Sequence, residues 1–163
     1  MAEYSELKLK YASIAYDTLC AALDEMKWTY TRDAANRVVT TSAIGTGVRI
    51  NLRMVVSEER QVMYVKSTLP FEVPSNEAVR NTFGKALHVA NYSMLNGCFE
   101  YDVEAGKAGF KIVVPFFNST VTKEVYRYAI MLTCQTMDKF TDKLLALLKG
   151  HISLEEFCQF ANG

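Results

Sequence analysis

The sequence predicts an α+β fold in which helices flank an antiparallel sheet. Apolar residues recur at helical spacing near both ends of the chain, and apolar and polar residues alternate over 48–56. Short polar turns separate the strand-like segments, and such turns can join antiparallel strands but not parallel ones. The predicted order is α-β-β-β-α-β-β-α-α, within a single domain that covers residues 1–163.

The first element is predicted to be a helix over residues 4–26. Leu9, Ala12, Tyr16 and Leu19 repeat at the spacing that places side chains on one helix face. No proline or glycine interrupts this segment, so it has no internal helix breaker.

Three strands are predicted next, over residues 38–44, 48–56 and 61–69. The first is rich in β-branched residues, and the second alternates strictly between apolar and polar side chains. The glycine-containing residues 45–47 and the polar residues 57–60 are expected to form the two turns. This region is therefore expected to be a three-stranded antiparallel meander.

A second helix is predicted after the meander. Pro70 and Pro74 end the sheet segment, because proline has no amide donor for a central strand. Ser75 is the expected N-cap. The helix is expected to stop at residues 96–97, an Asn-Gly pair typical of a C-terminal cap.

A hairpin follows, with strands predicted at 99–103 and 110–117 and a turn at 104–109. The returning strand carries apolar side chains on both of its faces. A strand of this kind is normally covered on both faces. We expect a helix on one side and a partner on the other.

Two helices close the chain. Thr122 is expected to cap a long helix over 123–149, which carries two apolar stripes and stops at Gly150. Ser153 and Glu156 have the spacing of a capping box, so a short final helix should begin there.

Composition excludes several classes of protein. The 18 basic and 18 acidic residues balance overall, and no basic cluster of a nucleic-acid binder stands out. No apolar run approaches the ~20 residues of a membrane helix, and the first residues lack the pattern of a signal peptide. The four cysteines are widely spaced, which predicts reduced thiols. We therefore expect a cytoplasmic protein that binds neither nucleic acid nor membrane.

Five phrases in order resemble the YbjN-domain family, whose members share the fold of type III secretion chaperones. They are the aromatic segment 28–30, the strand-to-helix link 69–74, the phrase NYSMLNGCFEYD within 90–102, and the helical segments 136–140 and 147–156. The resemblance implies a secretion-chaperone-like fold. It also implies a non-enzymatic bacterial module that forms dimers and binds proteins.

The residues themselves indicate no catalytic site, metal site or cofactor. Catalysis needs a nucleophile, a base or a metal at defined spacing. The chain has only two histidines, His88 and His151, and neither lies in a known catalytic or zinc-binding pattern. We expect a protein that is not an enzyme.

Surplus apolar residues are the main indication of function. One small sheet offers one core face, yet both the long helix and the strand 110–117 are apolar on two sides. Burial by the other helices would also account for this surplus. We predict a homodimer that also binds an unidentified protein. The candidate interface residues are Val113, Phe116, Phe117, Ile130, Cys134 and Met137.

Arginines suggest an alternative function. Five of the seven arginines lie between residues 32 and 60. Arg49 and Arg53 share one face of the best-defined strand, and Lys66 is expected to join them from the next strand. These three cations form a candidate face for sensing an anion or small molecule, or an ordinary solvated sheet face.

Overall fold

Four helices and a six-stranded antiparallel sheet make up the computed structural model, which describes residues 2–163, with side chains from residue 5 onward. The strand order in the sheet is β1-β2-β3-β4-β6-β5. In chain order the elements are α1 (Ala2–Glu25), β1 (Thr31–Asp33), β2 (Val38–Ile44), β3 (Arg49–Ser57), β4 (Val62–Thr68), α2 (Glu77–Tyr92), β5 (Cys98–Asp102), β6 (Lys107–Pro115), α3 (Lys123–Leu148) and α4 (Leu154–Asn162). The predicted α+β class is confirmed.

The helices cover only one face of the sheet. In β3 the even-numbered side chains are buried beneath the helices and the odd-numbered ones face the other way, as the period of a strand requires. Helix α3 packs on β3, β4 and β6, α1 on β3, and α2 on β5, while α4 lies on α2 and α3. We call the uncovered side of the sheet the open face. The buried side chains of β3 are Ile50, Leu52, Met54 and Val56.

The structure contains one strand more than the sequence predicts. Strand β1 has only three residues, all exposed, and pairs with the first half of β2. A tight turn joins the two strands, in which the Asn36 backbone N–H donates to Asp33 Oδ1 at 3.1 Å. Because β1 carries no apolar side chain, its sequence lacks the alternation by which the other strands are recognised.

The caps of helix α2 differ from the prediction. Asn76, and not Ser75, is the N-cap, and its side chain accepts a hydrogen bond from the Val79 backbone N–H at 3.0 Å. The helix ends before Ser93, earlier than Gly97. Gly97 instead adopts a φ of +76° at the start of β5, where a Cβ atom would lie 2.2 Å from Phe110 Cζ. This glycine is required by the close approach of a ring.

The closing helices follow the prediction closely. Helix α3 ends one residue before the predicted boundary, although the Thr122 side chain makes no capping hydrogen bond. The capping box of α4 is confirmed: Ser153 Oγ accepts from the Glu156 N–H at 3.1 Å, and Glu156 Oε2 accepts from the Ser153 N–H at 2.7 Å.

A carboxylate on α3 fixes the tip of the β2–β3 hairpin. Asp138 Oδ1 accepts a hydrogen bond from the Thr46 backbone N–H at 2.6 Å, and Asp138 Oδ2 accepts from Thr46 Oγ1 at 2.9 Å. A Cβ atom at Gly45 would lie 2.2 Å from Asp138 Oδ1. The turn therefore needs glycine so that its backbone can approach the helix.

We predict that Asp138→Ala lowers the free energy of unfolding by about 1–3 kcal/mol, because hydrogen bonds to a charged group are lost. Urea denaturation followed by circular dichroism measures this change. Asp17→Ala is the control, since Asp17 is exposed on another helix, α1, and makes no hydrogen bond within the described residues. Equal effects of the two substitutions would contradict the assigned role of Asp138.

Candidate functional site

Most of the predicted interface residues lie in the core of the chain. Phe116, Ile130 and Met137 are 1%, 0% and 2% exposed, and Cys134 is buried as well. Their apolar character is explained by packing within one chain, because α3 contacts the other three helices in addition to the sheet. These four side chains therefore offer no surface to a partner in this conformation.

Two of the predicted interface residues are exposed. Val113 on β6 is 44% exposed, and Phe117, two residues beyond the end of that strand, is 68% exposed. Val113 lies on the open face because its neighbours in β6, Ile112 and Val114, are buried beneath the helices. The surface that remains a candidate interface is therefore on the open face and not on the long helix.

An apolar stripe crosses the open face through four neighbouring strands. The strand register places Val38 opposite Val55, Val55 opposite Tyr64, and Tyr64 opposite Val113. Side chains in such pairs have Cβ atoms about 5 Å apart and pack against one another. We call these four residues the apolar stripe. Sequence reasoning missed it because each strand contributes only one residue.

A row of cations runs beside the apolar stripe. Arg53 is opposite Lys66, and Lys66 is opposite Lys111, so three like charges are direct cross-strand neighbours. We call these three residues the basic row. Two of its members were predicted, and Lys111 was missed because β4 and β6 are distant in sequence. Arg49 lies outside the row but on the same face, and donates to Ser42 Oγ at 3.1 and 3.2 Å.

Glu100 compensates part of the charge of the basic row. Its Oε2 is 3.0 Å from Lys66 Nζ, and its Oε1 accepts a hydrogen bond from Lys111 Nζ. Partial burial works to raise the pKa of this carboxyl, but the hydrogen bonds from Lys111 and Lys66 outweigh it and hold the pKa below its ordinary value. Asp33 on β1 is close enough to Arg53 to interact with it electrostatically, so two carboxylates against three cations leave the row with a net positive charge.

The β5 edge of the sheet is closed by side chains. Asn91 Nδ2 donates to the Phe99 carbonyl at 3.1 Å, and the Phe99 N–H donates to Asn91 Oδ1 at 2.7 Å. Arg80 donates to the carbonyls of Val103 and Glu104, just beyond the strand. Helix α2 packs along the same strand. The backbone groups of Phe99 that would pair with an added strand are already bonded.

The opposite edge of the sheet borders a groove of about 1000 Å³. Strand β1 covers only the first half of β2, because its pairing ends at Thr31 opposite Thr40. Beyond that point the groove runs beside the second half of β2. We call it the edge groove. Its lining residues are Trp28, Thr29, Tyr30, Thr31, Thr40, Thr41, Ser42, Ala43, Ile44, Arg49 and Asn51.

A cluster of titratable groups surrounds Cys20, formed by Tyr16, Tyr30 and Arg32, but burial raises the pKa of the Cys20 thiol and so disfavours its thiolate. His88 and His151 are both exposed, on α2 and just after α3. Burial raises the pKa of the Cys134 thiol to about 11, which disfavours the nucleophilic thiolate. Within the described residues, no group of three His, Cys, Asp or Glu side chains is placed to hold a metal ion. No described helix has the length and apolar content needed to cross a membrane.

Comparison of the chain with protein-family models, curated proteins and solved structures finds no match in any of the three. The YbjN resemblance therefore stays a prediction, and functional inference depends on the surface described above.

We predict that Glu100 stabilises the fold in a pH-dependent way. Because its folded-state pKa is lowered, its contribution is present above its ordinary value of 4.5 and is lost as the pH falls through the folded value. Glu100→Gln should lower the free energy of unfolding by at most about 1 kcal/mol near pH 7, as expected for a partly exposed ion pair.

Urea denaturation of the two proteins between pH 7 and pH 3 tests this prediction. The difference between wild type and Glu100→Gln should shrink below pH 4.5. Glu72→Gln is the control, because Glu72 forms a more exposed pair with Lys107 at 3.5 Å. A difference that stays constant with pH would contradict the role of Glu100.

Proposed function

We propose that this protein is a non-enzymatic cytoplasmic binding module that forms a homodimer through the open face of its sheet and, as a homodimer, binds a segment of another protein. The secretion-chaperone-like fold implied by the YbjN resemblance belongs to the same proposal. The observation that carries it is the apolar stripe, which lies on the face opposite the helices. Val113 is exposed and the other three members are half-buried, and a contiguous apolar patch of this kind is typical of an interaction site.

The size of the open face suits a small interface. Six strands spaced about 4.8 Å apart, with about six residues along each, cover about 600 Å² per copy. Two such faces would bury about 1200 Å², the lower end of the range for specific complexes. The apolar stripe would form the centre of this contact, and the basic row with Glu100 would form a polar rim.

We predict that Val113→Asp dissociates the homodimer, because a buried charge in the apolar stripe would lose its hydration without a partner. Light scattering at micromolar concentration should give about twice the 18.4 kDa chain mass for wild type and a value near 18.4 kDa for the variant.

Val125→Asp is the matched control for this experiment. Val125 is 41% exposed, close to the 44% of Val113, but it lies in the first turn of α3, where an acidic residue is tolerated. This variant should keep the wild-type mass. A monomeric wild type, or equal dissociation of both variants, would contradict an interface at the open face.

The basic row supports a second candidate function, the sensing of an anion. Like charges directly opposite each other destabilise a sheet, and Glu100 and Asp33 together compensate only part of the three cations. A bound anion would relieve the remaining repulsion. Arg53 is the member of this row that makes no salt bridge within the described residues.

If the protein senses an anion, millimolar phosphate, AMP or ATP should raise its melting temperature by several degrees, and Arg53→Ala should abolish the shift. Differential scanning fluorimetry at low ionic strength measures it, because salt screens such contacts. Arg60→Ala, in the exposed β3–β4 turn, should retain the shift. Absence of a shift with all three anions would contradict this alternative.

A further inference from the structure

We propose that the edge groove binds an extended acidic segment of another protein, which adds to the sheet as a strand along Ser42 and Ile44. The proposal rests on the protein-binding function above and specifies the chemistry of one partner. Strand addition of this kind obtains affinity from backbone hydrogen bonds and selectivity from side-chain contacts.

The backbone of β2 presents unpaired groups to the edge groove. On the inner side, the Arg37 carbonyl accepts from the Val56 N–H at 3.0 Å, and the Gly45 N–H donates to the Val48 carbonyl at 2.9 Å. Because backbone groups alternate sides along an antiparallel strand, odd-numbered residues of β2 bond to β3 and even-numbered residues point outward. Ser42 and Ile44 therefore direct their N–H and C=O groups toward the groove.

Strand β1 does not reach these two residues. Its pairing stops at Thr31 opposite Thr40, so Ser42 and Ile44 lie beyond its end. The chain that leads into β1 is not paired with the backbone of β2. Its Thr29 carbonyl instead accepts a hydrogen bond from the hydroxyl of Thr41 at 2.7 Å. Ser42 and Ile44 therefore offer two outward-facing residues to an added antiparallel strand.

The β5 edge and the β2 edge of the sheet differ in whether their outward backbone groups are bonded. At β5 the outward N–H and C=O of Phe99 are bonded by the amide of Asn91. Proteins commonly cover sheet edges in this way to prevent unwanted pairing. At Ser42 and Ile44 no side chain among the described residues bonds the outward backbone groups in this way, although residues 28–30 line the groove beside them, and the Ile44 side chain is 91% exposed. An uncovered edge with an exposed apolar side chain favours a docking site over a solvated edge.

Charge selects an acidic segment as the occupant. Arg49 lines the edge groove, and no Asp or Glu side chain is among the lining residues. Arg49 makes no salt bridge within the described residues, and its guanidinium is held beside the strand by Ser42 Oγ. A second copy paired along the same edge would bring another arginine and no carboxylate. A segment with glutamate or aspartate would instead pair with Arg49 as it docks.

The test uses a fluorescein-labelled octapeptide of alternating valine and glutamate, and a matched peptide with lysine in place of glutamate. Fluorescence anisotropy at low ionic strength should show at least tenfold tighter binding of the glutamate peptide. Arg49→Glu should reverse the preference, whereas Arg60→Glu, at the exposed β3–β4 turn, should not. Equal binding of both peptides by wild type would overturn the proposal.

Amide hydrogen exchange measured by NMR locates the peptide. The Ser42 and Ile44 amides should exchange rapidly in the free protein and at least tenfold more slowly with saturating glutamate peptide. The amides of Thr41 and Ala43 serve as internal controls, because their bonds to β3 protect them in both states. Unchanged exchange at Ser42 and Ile44 with bound peptide would overturn the assigned site.

Two further outcomes separate this proposal from the broader function. Protection of Ser42 and Ile44 that rises with protein concentration, without peptide, would assign this edge to a second copy and overturn the acidic partner. Dissociation of the homodimer by Val113→Asp is measured independently of the peptide. The edge proposal can therefore fail while binding through the open face stands, and the reverse also holds.

Discussion

Packing around helix α3 is the constraint on which the rest of the structure depends. This helix crosses three strands and contacts the other three helices, so its apolar side chains are mostly buried, while one stripe that includes Tyr128 and Met131 stays exposed. The other three helices pack against α3 on one side of the sheet, and the other side is left uncovered. Asp138 on the same helix accepts two hydrogen bonds from Thr46 and so holds the tip of the β2–β3 hairpin against α3. The open face lies opposite the helices, whereas the edge groove exists because β1 covers only the first half of β2.

The elements that sequence predicts well are those whose signal is local. The alternation of β3 and the capping box at Ser153 each depend on neighbouring residues, and both are present in the structure. Strand β1 escapes prediction because it has three polar residues and is held by pairing alone. The N-cap shifts by one residue because Ser75 and Asn76 are both good caps, and only backbone geometry decides between them.

The candidate site is harder to predict because it depends on residues that are far apart in sequence. Periodicity identifies Phe116 and Met137 as apolar but does not reveal that the chain itself covers them. The apolar stripe draws one residue from each of four strands, so its members are recognisable only once the register is known. Lys111 joins the basic row by the same route. Arg49 and Arg53 were found because they share a single strand.

The amide of Asn91 has a consequence for assembly that reaches beyond the single chain. It imitates a neighbouring strand by giving Phe99 one donor and one acceptor, so the sheet ends there. Growth of a fibril by strand pairing requires two unpaired sheet edges on each subunit, because each subunit must pair with one neighbour on either side. A strand that paired with β5 would first have to displace the Asn91 amide from the N–H and C=O groups of Phe99. Growth of the sheet through both of its edges is therefore disfavoured at Phe99.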